Sequence, residues 1–118
     1  MSGNIIVPSN IIEVRKGDTF VINFQINKGC SGVDLEGSTI SMCAKNKATN
    51  AVVLDKQAVG VDMAKGKMAL VIEPKDTQNI AVGDYVCVIK IAFSDGNIHT
   101  IFPEDVKKVG IFRVTPSV

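Results

Sequence analysis

From Phe20 to Asn27 the chain alternates, with Phe20, Ile22, Phe24 and Ile26 apolar and Val21, Asn23, Gln25 and Asn27 mostly polar. Successive residues of a strand point to opposite sides of a sheet, so this pattern predicts a strand with one row in a core and one in water. The same period recurs over Thr39 to Lys45, with Ile40, Met42 and Ala44 inward, and over Lys67 to Glu73, with Met68, Leu70 and Ile72 inward. Gly83 leads into a long apolar strand, Asp84 to Phe93, and a return strand runs from Ile98 to Phe102. Asp95-Gly96 between them predicts a two-residue type I′ hairpin turn, since both residues tolerate positive φ. Shorter strands are predicted at Ala51 to Leu54, Gln57 to Val61 and Val109 to Thr115. Asn4 to Val14 carries Pro8, which cannot donate to a ladder, and predicts two short edge pieces separated by a kink.

Turn chemistry separates these runs. Gly17-Asp18 makes a turn, Lys28 to Gly37 is a loop rich in glycine, Asn46 to Asn50 turns the chain, and Asp62 to Gly66 is a hairpin loop. Pro74 ends a strand, Asp76 to Asn79 predicts one helical turn, and Pro103 to Lys108 is a polar excursion. No stretch sustains a helical period over three turns. The expected fold is all-β: a two-layer immunoglobulin-like β-sandwich of seven to eight mostly antiparallel strands. A chain of 118 residues has room for one core, so residues 1–118 read as a single domain.

Charge narrows the partners. Thirteen basic residues against 12 acidic ones leave +1, and the lysines are scattered, so no stripe tracks a phosphate backbone and nucleic acid is not expected. Nowhere does the chain hold the roughly 20 apolar residues of a membrane span, and no basic start precedes an apolar run, which reads as a soluble chain without an export signal. Mean hydropathy is +0.24 despite the lack of Trp and a single Tyr. A surplus of this kind in a small domain points to an oligomer or assembly.

Tyr85 stands two residues before Cys87 at the start of the long strand, as in the sixth strand of an immunoglobulin domain, where the Cys closes a disulfide across the sandwich. Its partner should lie in the inward row of the second strand, which holds only Phe20, Ile22, Phe24 and Ile26. Cys30 sits in the glycine-rich loop and Cys43 shares the outward parity of Thr39 and Ser41, so all three cysteines read as free thiols in a reducing compartment, with Cys87 in the core. Tyr85 is then a corner residue whose hydroxyl should reach backbone around Asn79 to Val82.

Little in the chain points to catalysis. His99 is the one histidine and has no Ser or Cys beside it in a nucleophile motif. Gly60 to Met68 superficially resembles a phosphate-binding loop but has five residues between its glycines and Met68 where Ser or Thr belongs, so it reads as a hairpin loop. Asp18, Asp34, Asp62, Asp84 and Asp95 read mostly as turn formers and not as a calcium site. No catalytic, cofactor or metal residue is assigned, and the chain reads as no enzyme. The surplus of apolar side chains on rows due to face water, Val86, Val88 and Ala92 on the long strand and Val71 on its predecessor, forms a candidate interface. Two readings stay open for it: cover by the N-terminal segment or a loop, or a subunit contact.

The order and spacing of the turn signals carry a likeness over nearly the whole chain. Gly17-Asp18 leads the second strand, Asp34-Leu35-Glu36-Gly37 introduces the third, Gly83-Asp84-Tyr85 opens the long strand, Asp95-Gly96 follows it, and Ile111 to Pro116 closes the sequence. In these phrases the chain resembles the N-terminal immunoglobulin-like domain of upper baseplate proteins of tailed bacteriophages. The resemblance implies a structural, non-enzymatic module that holds a receptor-binding or fibre component on the tail tip, contacts other tail or baseplate proteins and resides in the virion after synthesis in the bacterial cytoplasm, and the apolar surplus adds the expectation of a homo-oligomer. The alternative is a surface-binding module that recognises a host-cell glycan or protein through the loops Lys28 to Gly37 and Asn46 to Asn50.

Overall fold

The computed structural model describes residues 10–28, 31–103 and 108–116. Two sheets pack face to face. The larger contains β1 (Ile11–Arg15), β5 (Thr39–Lys45), β6 (Val52–Gln57), β9 (Gly83–Ala92), β10 (Ile98–Phe102) and β11 (Ile111–Thr115), in the order β1-β11-β9-β5-β6 with β10 also on β9. The smaller has the order β2 (Phe20–Gln25), β8 (Lys67–Ile72) and β7 (Val59–Asp62), and a two-residue pair, β3 (Asn27–Lys28) with β4 (Ser31–Gly32), closes one loop. All pairings are antiparallel except β1 with β11. This is the immunoglobulin-like sandwich the alternation predicts, and it follows from the residues: each strand has one apolar row, and two such rows can leave water only by stacking.

The core consists of those rows. Ile22 and Phe24 of β2, Met68, Leu70 and Ile72 of β8, Ile40, Met42 and Ala44 of β5, and Tyr85, Cys87, Ile89 and Ile91 of β9 are all buried in one cluster. Phe102, Phe112 and Leu35 are buried in the same cluster. The strands β10 and β11 lie end to end on one edge of β9, pairing with Ile89–Ala92 and Gly83–Val86 respectively. At their junction the Cys87 N–H donates to the Gly110 carbonyl at 2.8 Å, and a side chain on Gly110 would strike the Cys87 carbonyl. The chain therefore needs glycine there for close backbone approach.

One helical turn, α1 (Pro74–Thr77), closes the lower end of the sandwich. It begins two residues earlier than the sequence suggests, because Pro74, which ends β8, also supplies the fixed φ of a first helical position. Asp76 Oδ2 accepts the Glu73 N–H at 2.7 Å and meets Lys56 Nζ at 3.0 Å, which ties the turn to β6. The Thr77 hydroxyl, fully buried, accepts the Gly17 N–H at 2.9 Å and so pins the turn between β1 and β2.

Other expectations need correction. The Asp95-Gly96 turn is not a two-residue I′ turn: only Gly96 has positive φ, at 93°, and Phe93 N–H bonds the Asn97 carbonyl at 2.8 Å across a three-residue loop. Asp95 stays out of the left-handed region because its carboxylate accepts the Asn97 N–H at 2.9 Å, leaving Gly96 to take the single left-handed position. The break expected near Asp55 falls instead at Ala58, where the chain leaves the larger sheet as β6 and joins the smaller as β7. Asp84 is no turn former but a β9 residue opposite Arg113. The first of the two expected N-terminal edge pieces, Cys30 and most of the excursion from Pro103 lie outside the described residues.

Candidate functional site

The outward rows of the larger sheet line up across its strands. Ile11 stands beside Ile111, Ile111 is opposite Val86, and Val86 is opposite Lys45. Two residues along β9, Val88 faces Cys43. The five apolar members of this strip are each half-buried. Ala92 lies further along the same face, opposite Thr39 and Ile98.

Charged groups flank the strip. Arg113 donates from Nε to Asp84 Oδ1 at 2.8 Å and from its second nitrogen to Oδ2 at 3.1 Å, and it lies 3.8 Å from Glu13. Register produces this cluster, because Glu13 and Asp84 both sit opposite Arg113 in the ladder. The guanidinium hydrogen bond holds the Asp84 carboxyl below its ordinary range and raises Arg113 in turn. On the other flank, Lys45 and Lys90 have no ion-pair partner among the described residues. Between them lies an open depression of about 420 Å³ floored by Val86, Val88 and Cys43.

Val71 is elsewhere. It belongs to the outer face of the smaller sheet, opposite Val21, so the four candidate interface residues fall on two opposite surfaces. Ala69 sits between Asn23 and Val59 on that face, with Val61 at the bulge where β7 pairs loosely with β8. Val21, Val59 and Val61 are 46%, 60% and 63% exposed. Sequence reasoning passed over all three, although Val21 is the apolar exception in an otherwise polar row.

The remaining candidates do not converge. No group of three His, Cys, Asp or Glu able to hold a metal occurs among the described residues. His99 is exposed and stacks edge-on against Phe93, with ring centres 5.6 Å apart. Cys43 and Cys87 are free, and they point to opposite faces of the larger sheet from adjacent registers, Cys43 opposite Val88 and Cys87 opposite Ala44. Burial pushes the Cys87 thiol up to about 12, with the nearby Cys43 adding to the rise. The turn Asn46 to Asn50 satisfies itself, as Asn46 Oδ1 accepts the N–H groups of Ala48 and Thr49. Gly60 to Met68 is a hairpin, as expected, but its two ends belong to β7 and β8, and the loop itself is a 3₁₀ turn (Met63–Lys65) ending in Gly66 at φ 81°. The corner expected of Tyr85 is present: its hydroxyl donates to the Ala81 carbonyl at 2.6 Å.

Comparison with known proteins adds to this geometry. Among solved structures, the chain is similar to CopC from Methylosinus trichosporium OB3b, at 21% identity and a TM-score of 0.50, covering 98% of this chain and 96% of that one. It is equally similar to the N-terminal domain of phage TP901-1 ORF48, at 18% identity and a TM-score of 0.50, covering 97% and 92%. At these identities both show a shared fold. No curated protein matches. Residues 3–102 match the family described as the BppU N-terminal domain, and the chain therefore belongs to this family of phage upper baseplate protein domains.

Proposed function

We propose that the chain, as a single domain over residues 1–118, is a non-enzymatic assembly module of a phage tail or baseplate that docks other virion proteins on the outer face of its larger sheet. Family membership supplies the setting. The observation that carries the docking face is the apolar strip Ile11, Ile111, Val86, Val88 and Cys43, which crosses three adjoining strands and continues onto a fourth. Half-buried side chains on a flat face still have apolar area to lose, and each Å² removed from water contributes on the order of 25 cal/mol. The Arg113 cluster is already paired within the chain, so it orients a partner more than it adds affinity, whereas Lys45 and Lys90 are free to meet carboxylates. Assembly places the module in the virion after synthesis in the reducing bacterial cytoplasm, which accords with free thiols.

The test is binding between the full chain and the other tail proteins of the same phage, measured with the wild type and with Val88→Lys. Binding by the wild type that the lysine reduces at least about tenfold is the expected outcome. Failure of every tail protein to bind, or binding indifferent to Val88→Lys, overturns the docking face.

A further inference from the structure

An open sheet edge presents unpaired backbone N–H and C=O groups, a template for another strand, and folded chains usually guard it with charge, proline or a bulge. Most edges of this sandwich are guarded. β1 carries Glu13 and Arg15, and β6 carries Asp55 beside Lys56, which shares the inward parity of Met42 and is held by Asp76. The ladders of β7 and β10 are interrupted by register shifts at Gly60/Asp62 and Thr100/Phe102. β2, at the edge of the smaller sheet, has none of these devices: Phe20–Gln25 holds no charge and no proline, and its six-residue ladder with β8 is unbroken. Register gives the direction of its backbone groups. Ile26 continues the ladder, donating its N–H to the Gly66 carbonyl at 2.9 Å. Bonded pairs alternate in an antiparallel ladder, so Phe20, Ile22 and Phe24 bond β8 as Ile26 does, and Val21, Asn23 and Gln25 turn their N–H and C=O groups to the free edge. Those groups have no other partner among the described residues, and neither has the side-chain amide of Asn23, exposed at mid-strand.

This edge complements itself. A two-fold axis through Asn23 sets Val21 opposite Gln25 of the partner subunit, Gln25 opposite Val21 of the partner subunit, and Asn23 opposite its own copy, so each outward N–H of one chain meets an outward carbonyl of the other. An amide is donor and acceptor at once, so the two Asn23 side chains match across the axis. A neutral strand sets no like charges opposite one another in that register, and it has no charge with which to select a different protein of opposite sign. We infer that β2 pairs antiparallel with β2 of a second copy of this chain, joining the two three-stranded sheets into one continuous sheet. The contact specifies the homo-oligomeric part of the assembly reading, and it lies on the smaller sheet, away from the docking face on the larger.

Sedimentation of the full chain over a range of concentrations tests the inference, and a dimer is expected. Asn23→Lys and Asn23→Asp each set like charges together at the axis and are expected to weaken it at least about tenfold. Asn23 is exposed, so neither variant disturbs the core. An equal mixture of the two is expected to recover a heterodimer, because position 23 of one copy then meets the opposite charge at position 23 of the other. Amide exchange supplies a second readout: the N–H groups of Val21, Asn23 and Gln25 should slow as protein concentration rises, while those of Ile22 and Phe24 are slow throughout. A chain that stays monomeric, variants that dimerise as the wild type does, or a mixture without recovery overturns the proposal. So does slow exchange of the three edge amides in the monomer, which would mean that this chain covers its own edge. Loss of the dimer with binding of tail proteins retained would leave the docking face standing, so the two readings fail separately.

Discussion

Tyr85 and Cys87 show how much a single position can encode. The spacing Tyr-x-Cys foretells a corner, and the structure supplies the bond to Ala81; the same spacing also suggests a bridge, for which the inward row of β2 offers no second sulfur. Tyr85→Phe should destabilise the domain by about 0.5–1.5 kcal/mol, read by urea unfolding, because the Ala81 carbonyl loses a short, part-buried hydrogen bond. Cys87 has a consequence in alkali. Its thiol lies at about 12 in the fold against an ordinary 9.0, so the unfolded chain releases its proton first as pH rises. Below 9 both states keep the proton and stability is unaffected. Between 9 and 12 stability should fall by roughly 1.4 kcal/mol per pH unit from this group, and the slope should flatten in Cys87→Ala once its constant cavity cost is subtracted. An identical alkaline slope in the two proteins would refute the assignment. Asp95 is where residue-level reasoning fails, since tolerance of positive φ does not compel it when a side-chain bond to Asn97 is on offer.

The strand with a strict alternation was legible to the residue: β5 falls where the pattern puts it, because its row Ile40, Met42 and Ala44 must be buried, while β10, in which Phe102 is the buried residue, was legible from the turn residues at its two ends. The passage from β6 to β7 was not. Its residues are apolar on both parities, Val52 and Val53, then Ala58 and Val59, so the pattern does not say where the chain changes sheet. Tertiary geometry decides it, with the Ala58 N–H bonding the Ile40 carbonyl at 2.8 Å. The small α1 turn has more influence than its length suggests, because Thr77 serves as the acceptor for a backbone N–H 60 residues away. Thr77→Val keeps the shape and removes that acceptor. It should cost about 0.5–1.5 kcal/mol, the net contribution of one part-buried hydrogen bond, and should speed amide exchange at Gly17 before it affects the β9 core. Unchanged exchange at Gly17 would show that the turn is held by something other than this hydroxyl.

For the whole molecule the question is what the two apolar outer faces touch, and sequence alone left self-cover and subunit contact equally open. The alternatives differ in the size of a simple measurement. A row covered by the chain's own residues is core, and a lysine placed there buries an ammonium group, which costs several kcal/mol and lowers Tm by many degrees. A row that meets other molecules is surface in the isolated chain, where a lysine changes stability by no more than about 0.5 kcal/mol. The second outcome is the one expected here, with Val59 and Val61 well over half exposed and Val88 bordering an open depression. Val59→Lys combined with Val88→Lys is therefore expected to leave the thermal midpoint at low protein concentration within a degree or two of the wild type, while reducing tail-protein binding at least about tenfold. A fall of ten degrees or more would instead make these rows part of the fold, and the surplus apolar character of the chain would need no partner to explain it.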